Sequence, residues 1–283
     1  PLLLDGVADR FGFAGAELAL ASASHSSEPL HLEAIARFME KAGVREAELA
    51  CGPHTPLSPA VAEAVIRDGV APTPRWSNCS GKHTGMLALA RHHGWPREGY
   101  NAVGHPVQDR ILDEVCRWTG ADRDAIRTAP DGCTAACFAL PLRNMALGYA
   151  RLAASTEAAP RRLLEAMMGH PFLIAGTGRL CTDLMSAWPG RVVAKVGAEG
   201  VYCAALPEWG LGVALKVEDG STPASAVALL EILRQVLARV GVPGAPEYRF
   251  EGLSRHAVQP IINTRGVVTG ALQPAGELRF FDE

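Results

Sequence analysis

The last third of the chain constrains the fold most. Arg191 to Val196, Tyr202 to Leu206 and Gly210 to Val217 are short, rich in apolar or β-branched residues, and set off by glycines, which is the pattern of three successive strands. A long amphipathic segment follows directly. Thr222 to Arg239 has Thr222 as N-cap, Pro223 at the first helical position, and Val227, Leu230, Leu233, Val236 and Leu237 at helical spacing. Three consecutive strands and then a helix predict an antiparallel β-sheet flanked by helices, an α+β class rather than alternating βαβ. Two more helices are legible upstream. Leu30 to Gly43 places Leu32, Ile35, Ala36 and Met39 on one face with Gly43 as the stop, and Pro106 to Thr119 turns Ile111, Leu112, Val115 and Trp118 inward. Near the start, Leu3, Leu4, Val7, Ala8 and Phe11 also recur at helical spacing, so a helix is expected there. The Pro and Gly clusters are too short to be linkers, which makes residues 1–283 a single domain.

Composition narrows the partners. Of 283 residues, 48% are hydrophobic, enough to bury a sizeable core, and 27 basic residues balance 30 acidic ones to a net charge of -3. Such a mixture provides no field for nucleic acid or for an anionic membrane surface, so a small molecule is the better default partner. No apolar run approaches the roughly 20 residues of a bilayer span, and a cytoplasmic location is expected. Seven cysteines, an odd count without the dense spacing of a disulfide scaffold, are expected to be free thiols, some of them ligands.

Chemistry concentrates in a few short stretches. Ser22-Ala-Ser-His-Ser26 follows an apolar run and can present Ser24, flanked by small residues, to a pocket; it can equally be an ST-turn that caps the next helix. Trp76 to Met86 leads into Leu87-Ala-Leu-Ala90. Asn78 or Ser80 can cap this helix, placing Cys79 and Lys82 on its first turn, where the positive helix end favours a thiolate. Its Ser-Gly-Lys-His-Thr string lacks the leading glycine of a phosphate-binding loop. Asp131-Gly-Cys133 reads as turn chemistry with either a buried small residue or a ligand, and two cysteines alone fall short of the three or four ligands zinc takes. Lys216, inside an apolar strand, either snorkels from an edge or is buried with a lowered pKa that makes it a usable base.

Taken in order, Ala21-Ser-Ala-Ser24-His-Ser, Cys51-Gly-Pro-His54, Asn78-Cys79-Ser-Gly-Lys82-His83, Asp131-Gly-Cys133, Gly176-Thr-Gly-Arg179, Thr182-Asp183-Leu-Met185, Lys195-Val-Gly-Ala-Glu199-Gly-Val-Tyr-Cys203 and Pro260-Ile-Ile-Asn263 resemble the asparaginase II family of the rhizobial type. The resemblance runs through essentially the whole chain. It implies a fold like that of serine β-lactamases, penicillin-binding proteins and serine glutaminases, and an L-asparagine amidohydrolase that forms aspartate and ammonia through an acyl-enzyme. By the same resemblance, Zn²⁺ falls to Cys79, Lys82 and Cys133, Asp131 grips the substrate's α-ammonium, His83 lines the pocket, and Ser24 pairs with Lys216 close to Cys203. A cytoplasmic homodimer is implied as well. Only a neutral Lys82 could bind metal, so the ion must hold it deprotonated.

One departure qualifies this. Family members carry a Ser-x-x-Lys motif upstream of the Pro-Leu-Leu stretch, and residues 1–283 are expected to omit that portion. The alternative is a catalytically inactive, zinc-containing amino-acid-binding homologue. A further reading by fold analogy is acylation by β-lactam-like compounds.

Overall fold

A computed structural model of the protein describes residues 1–241 and 252–281. Its first half is helical, with α1 (Val7–Phe11), α2 (Gly15–Ala21), α3 (Pro29–Ala42), α4 (Pro59–Arg67), α5 (Ser80–His93) and α6 (Pro106–Thr119). A hairpin of β1 (Arg127–Pro130) and β2 (Ala136–Ala139) comes next, then α7 (Leu142–Ala154), α8 (Ala158–Gly169), α9 (Pro171–Ile174) and α10 (Leu180–Ala187). The central sheet comprises β3 (Val193–Val196), β4 (Val201–Leu206) and β5 (Leu211–Lys216), antiparallel in that order. After it come α11 (Thr222–Arg239), α12 (Ser254–Ala257) and a second hairpin, β6 (Gln259–Ile262) with β7 (Val268–Leu272).

The α+β class and the antiparallel sheet expected from the last third are therefore present. Helices α3, α6 and α11 lie where the periodicity puts them, and Gly43 closes α3 with φ 60°. The cap of α11 is Ser221 rather than Thr222. Its side chain accepts the Ala224 N–H, which moves the helix boundary by one residue. The expected opening helix shrinks to α1. Residues Leu2 to Leu4 form a turn, and their side chains line a cavity of about 650 Å³ together with Ile111, Val115 and Trp118 of α6.

Two apolar cores share the molecule. One lies between the sheet, α7, α10 and α11, where Leu184, Met185, Val193, Ala204, Leu206, Leu229 and Leu233 are buried. The other is helical and gathers Val7, Phe13, Ile35, Phe38, Leu87 and Leu89. Helix α2 runs along their seam, since Ala19 belongs to the sheet core while Leu18 and Leu20 belong to the helical one. Its C-terminus therefore releases the Ser22–Ser26 stretch between the two cores. A serine there can meet groups from both.

Candidate active site

Helix α2 ends where its sequence turns to serine. The Ser22 hydroxyl bonds back to the Leu18 carbonyl, and the helix ends there. Ser24 comes next and is half-buried, with its N–H donating to the Ile174 carbonyl at 2.9 Å. Its Oγ lies 2.7 Å from Nζ of Lys195 on β3. Nζ also donates to the Val196 carbonyl at 2.6 Å. Although the lysine stem is partly exposed, its nitrogen is withdrawn from water, and this burial lowers its pKa, with the Arg179 charge adding to the effect. A neutral amine in this position donates to Val196 and keeps its lone pair for the Ser24 proton. That is the relation an activated serine needs.

Lys216 is not the lysine at Ser24. It stands opposite Val201 at the end of β5, exposed, with Nζ on the Val217 carbonyl. Register and alternation put it on the same sheet face as Lys195 and Cys203, which oppose each other directly. What separates the two lysines is that β3, and not β5, brings its lysine to the segment after α2. Lys195 sits in as apolar a run as Lys216, and no local signal in the sequence distinguishes them.

The residue after Ser24 is a brace. His25 is fully buried, and burial takes its pKa down to about 3, so the ring is neutral near pH 7. Its Nδ1 accepts the Ser27 N–H at 3.2 Å, so Nε2 carries the proton and donates to Ser80 Oγ at 2.9 Å. The Ser27 hydroxyl reaches the Trp76 carbonyl at 2.6 Å. Helix α5 is thereby tied to the Ser24 stretch. The reading of this serine run as the cap of the next helix does not hold, because the N-cap of α3 is Glu28.

Helix α5 carries buried residues from Ser80 through Ala90 apart from Lys82, the pattern of a helix enclosed on all sides. Gly81 allows the contact. A Cβ there would stand 2.2 Å from the Leu20 carbonyl oxygen, so only glycine lets α5 lie against the end of α2. Neither Asn78 nor Ser80 caps α5; the N-cap is Cys79 itself.

The tip of the β1–β2 hairpin brings Asp131 and Cys133 to this helix start. Thr134, at φ 73°, shapes the tip, and its hydroxyl and carbonyl bond to Ala50 and Asn101. The ligand atoms of Cys79, Asp131 and Cys133 lie within 4.8 Å of one another. Lys82 Nζ is 3.2 Å from Cys133 Sγ and 3.9 Å from the Asp131 carboxylate. The interaction between the two thiols takes Cys79 down to about 7 and Cys133 up to about 12. Burial acts to lower the pKa of Lys82, but the two sulfurs and Asp131 outweigh it and leave it raised. As described, Lys82 is an ammonium that pairs with this anionic group.

The donor set suits zinc. Two thiols, an amine and a carboxylate converge from separate elements, and the buried His83 has no hydrogen bond of regular geometry on Nε2 among the described residues, while its Nδ1 meets the Tyr100 hydroxyl at 2.5 Å. The structure thus brings the expected ligands Cys79, Lys82 and Cys133 together. It places Asp131 and His83 beside them, with Asp131 Oδ2 accepting from Cys133 Sγ at 2.8 Å. Cys203 is buried under Lys195, and burial lifts its thiol to about 11.

A family model for L-asparaginase II matches residues 1–274. The chain belongs to the L-asparaginase II family. No curated protein matches it. Membership supports an asparaginase-type amidohydrolase with a small-molecule substrate, and no helix among the described residues is long and apolar enough to cross a membrane.

Proposed function

We propose that this protein hydrolyses the side-chain amide of L-asparagine, with Ser24 as nucleophile and Lys195 as its base. The observation that carries this is the 2.7 Å approach of Ser24 Oγ to a lysine nitrogen withdrawn from water. Ser24 Oγ attacks the amide carbon as its proton passes to Lys195 Nζ. The C–N bond then breaks, Lys195 returns the proton to the leaving nitrogen, and ammonia departs from an aspartyl ester on Ser24. Water, giving a proton to Lys195, attacks that ester; the proton returns to Ser24 Oγ, and aspartate is released.

Asp131 is the group to grip the α-ammonium. Burial would raise its pKa, yet the hydrogen bond from Cys133 and the Lys82 charge hold it below the usual range, so it is a carboxylate near pH 7. We place Zn²⁺ on Cys79, Lys82 and Cys133, with His83 lining the site. What a bound zinc ion supplies is positive charge that anchors and polarises the substrate beside the nucleophile.

The test is ammonia and aspartate release from L-asparagine by the zinc-loaded protein, with Ser24→Ala as control. Product from the wild type and none from the control is the expected result. Asparagine binding without turnover would favour an amino-acid-binding role instead.

A further inference from the structure

The Gly176-Thr-Gly-Arg179 motif enters the chemistry above only through the charge of Arg179, yet the whole loop packs on the nucleophile's segment. Gly176 has φ 124°, and a Cβ there would stand 2.3 Å from a Glu28 carboxylate oxygen and 2.9 Å from the Ser26 side chain. Thr177 closes the contact from the next position, its N–H and hydroxyl donating to the two oxygens of Glu28 at 2.8 and 2.7 Å. On the other side, the Gly176 N–H meets Thr182 Oγ1 at 3.0 Å, and that hydroxyl meets the Pro171 carbonyl at 3.1 Å. Arg179 then reaches over the nucleophile. Its Nη1 donates to the Ser24 carbonyl, to the Ala175 carbonyl at 3.2 Å and to Ser26 Oγ at 3.4 Å.

We propose that this loop is the positioning device of the nucleophile, with Arg179 fixing the Ser24 backbone and presenting a permanent positive charge to Lys195. The inference rests on the Ser24–Lys195 reading. Arginine suits both tasks. Its guanidinium stays charged at any working pH, and here it spends hydrogen bonds on carbonyls and a hydroxyl, which do not neutralise it. A lysine base must be neutral to accept a proton, and a fixed cation nearby favours the neutral form. The other groups that bear on Lys195 are Cys181 of α10, Cys79 and Lys82 of α5, and Cys203 across the strand pair. Lys82 acts in the same sense as Arg179, whereas the Cys181 and Cys79 sulfurs act against it. Arg179 alone among these also holds the nucleophile's backbone. One side chain thus holds the nucleophile's backbone and adds to the effect of burial on Lys195.

The experiment follows covalent labelling of Ser24 by a fluorophosphonate, in which Ser24 Oγ displaces fluoride and its proton passes to Lys195. Intact mass on the zinc-loaded full chain gives the rate against pH, and Ser24→Ala gives the blank. Arg179→Met is expected to move the acidic limb of the rate upward by about one pH unit. Labelling at a pH on that limb falls about tenfold as a result. Arg179→Lys keeps the charge and is expected to leave the limb in place while lowering the plateau. A limb that stays put in Arg179→Met, or moves equally in both variants, overturns the proposal, since a purely structural staple would lower the rate alike at every pH. Thr177→Val covers the case of a misfolded Arg179→Met. It removes one Glu28 contact and is expected to lower the plateau several-fold, whereas an unchanged plateau overturns the loop's role. A wild type that labels at Ser24 with this pH dependence but releases no ammonia from asparagine removes the substrate assignment and supports the positioning inference. No labelling of Ser24 in the wild type overturns it.

Discussion

A lysine serves as a base more readily the further its pKa is lowered, and at Lys195, the base in the proposed mechanism, the main cause of the lowering is burial. The sign of the pH dependence follows. Activity is low where Nζ is protonated and rises with pH through its depressed pKa. Lys195→Met is expected to lower kcat by about 10²- to 10⁴-fold, the range general-base removal typically spans, and to abolish the acidic limb. Lys216→Met should retain the limb, because its nitrogen is at the solvent edge on the Val217 carbonyl. Parallel pH profiles of the two variants decide between them, and loss of the limb in Lys216→Met alone would return the role to that residue.

At the scale of elements, the site depends on how α5 is pressed against α2 and the segment after it. Gly81→Ala puts a methyl 2.2 Å from the Leu20 carbonyl oxygen, a clash with backbone that only a shift of α5 relieves. The expected cost is about 1–3 kcal/mol of stability. Denaturant unfolding monitors it, and an unchanged midpoint would mean that α5 slides freely. The His25–Ser80 brace makes a second, pH-dependent demand. Burial takes His25 down to about 3 in the folded protein from an ordinary 6.5, so between those values the unfolded chain binds the extra proton. Its contribution to stability is complete above pH 6.5 and is lost as pH falls toward 3, at about 1.4 kcal/mol per pH unit. His25→Gln should flatten the dependence of the urea midpoint between pH 7 and pH 5. A wild-type curve already flat there would contradict a neutral, buried His25.

The whole molecule shows why some of this was legible in sequence and some not. Periodicity located α3, α6, α11 and the three strands because each reports a local pattern of burial that its own residues carry. The ordered motifs named Ser24, Cys79, Lys82 and Cys133 together, though the first is separated from the last by more than a hundred positions. The choice of Lys195 over Lys216 was hidden because it depends on which strand end abuts the seam between the cores, a property of docking rather than of any segment. The same long-range docking gives metal removal its predicted signature. Cys79 and Lys82 start α5, while Cys133 comes from a hairpin tip 51 residues beyond Lys82, so an ion shared by them ties two elements that otherwise meet through few bonds. Chelation should therefore lower the unfolding midpoint by an amount that grows with the zinc concentration of the reference sample. Uptake should also release protons. Cys133 and Lys82 both hold theirs in the metal-free protein, and thiolate and neutral amine are the only forms that ligate. Zinc titration in weak buffer with a pH indicator is expected to liberate more than one proton per ion at pH 7. Cys133→Ala should lose both the proton release and the bound zinc, and full retention of zinc in that variant would refute the ligand set.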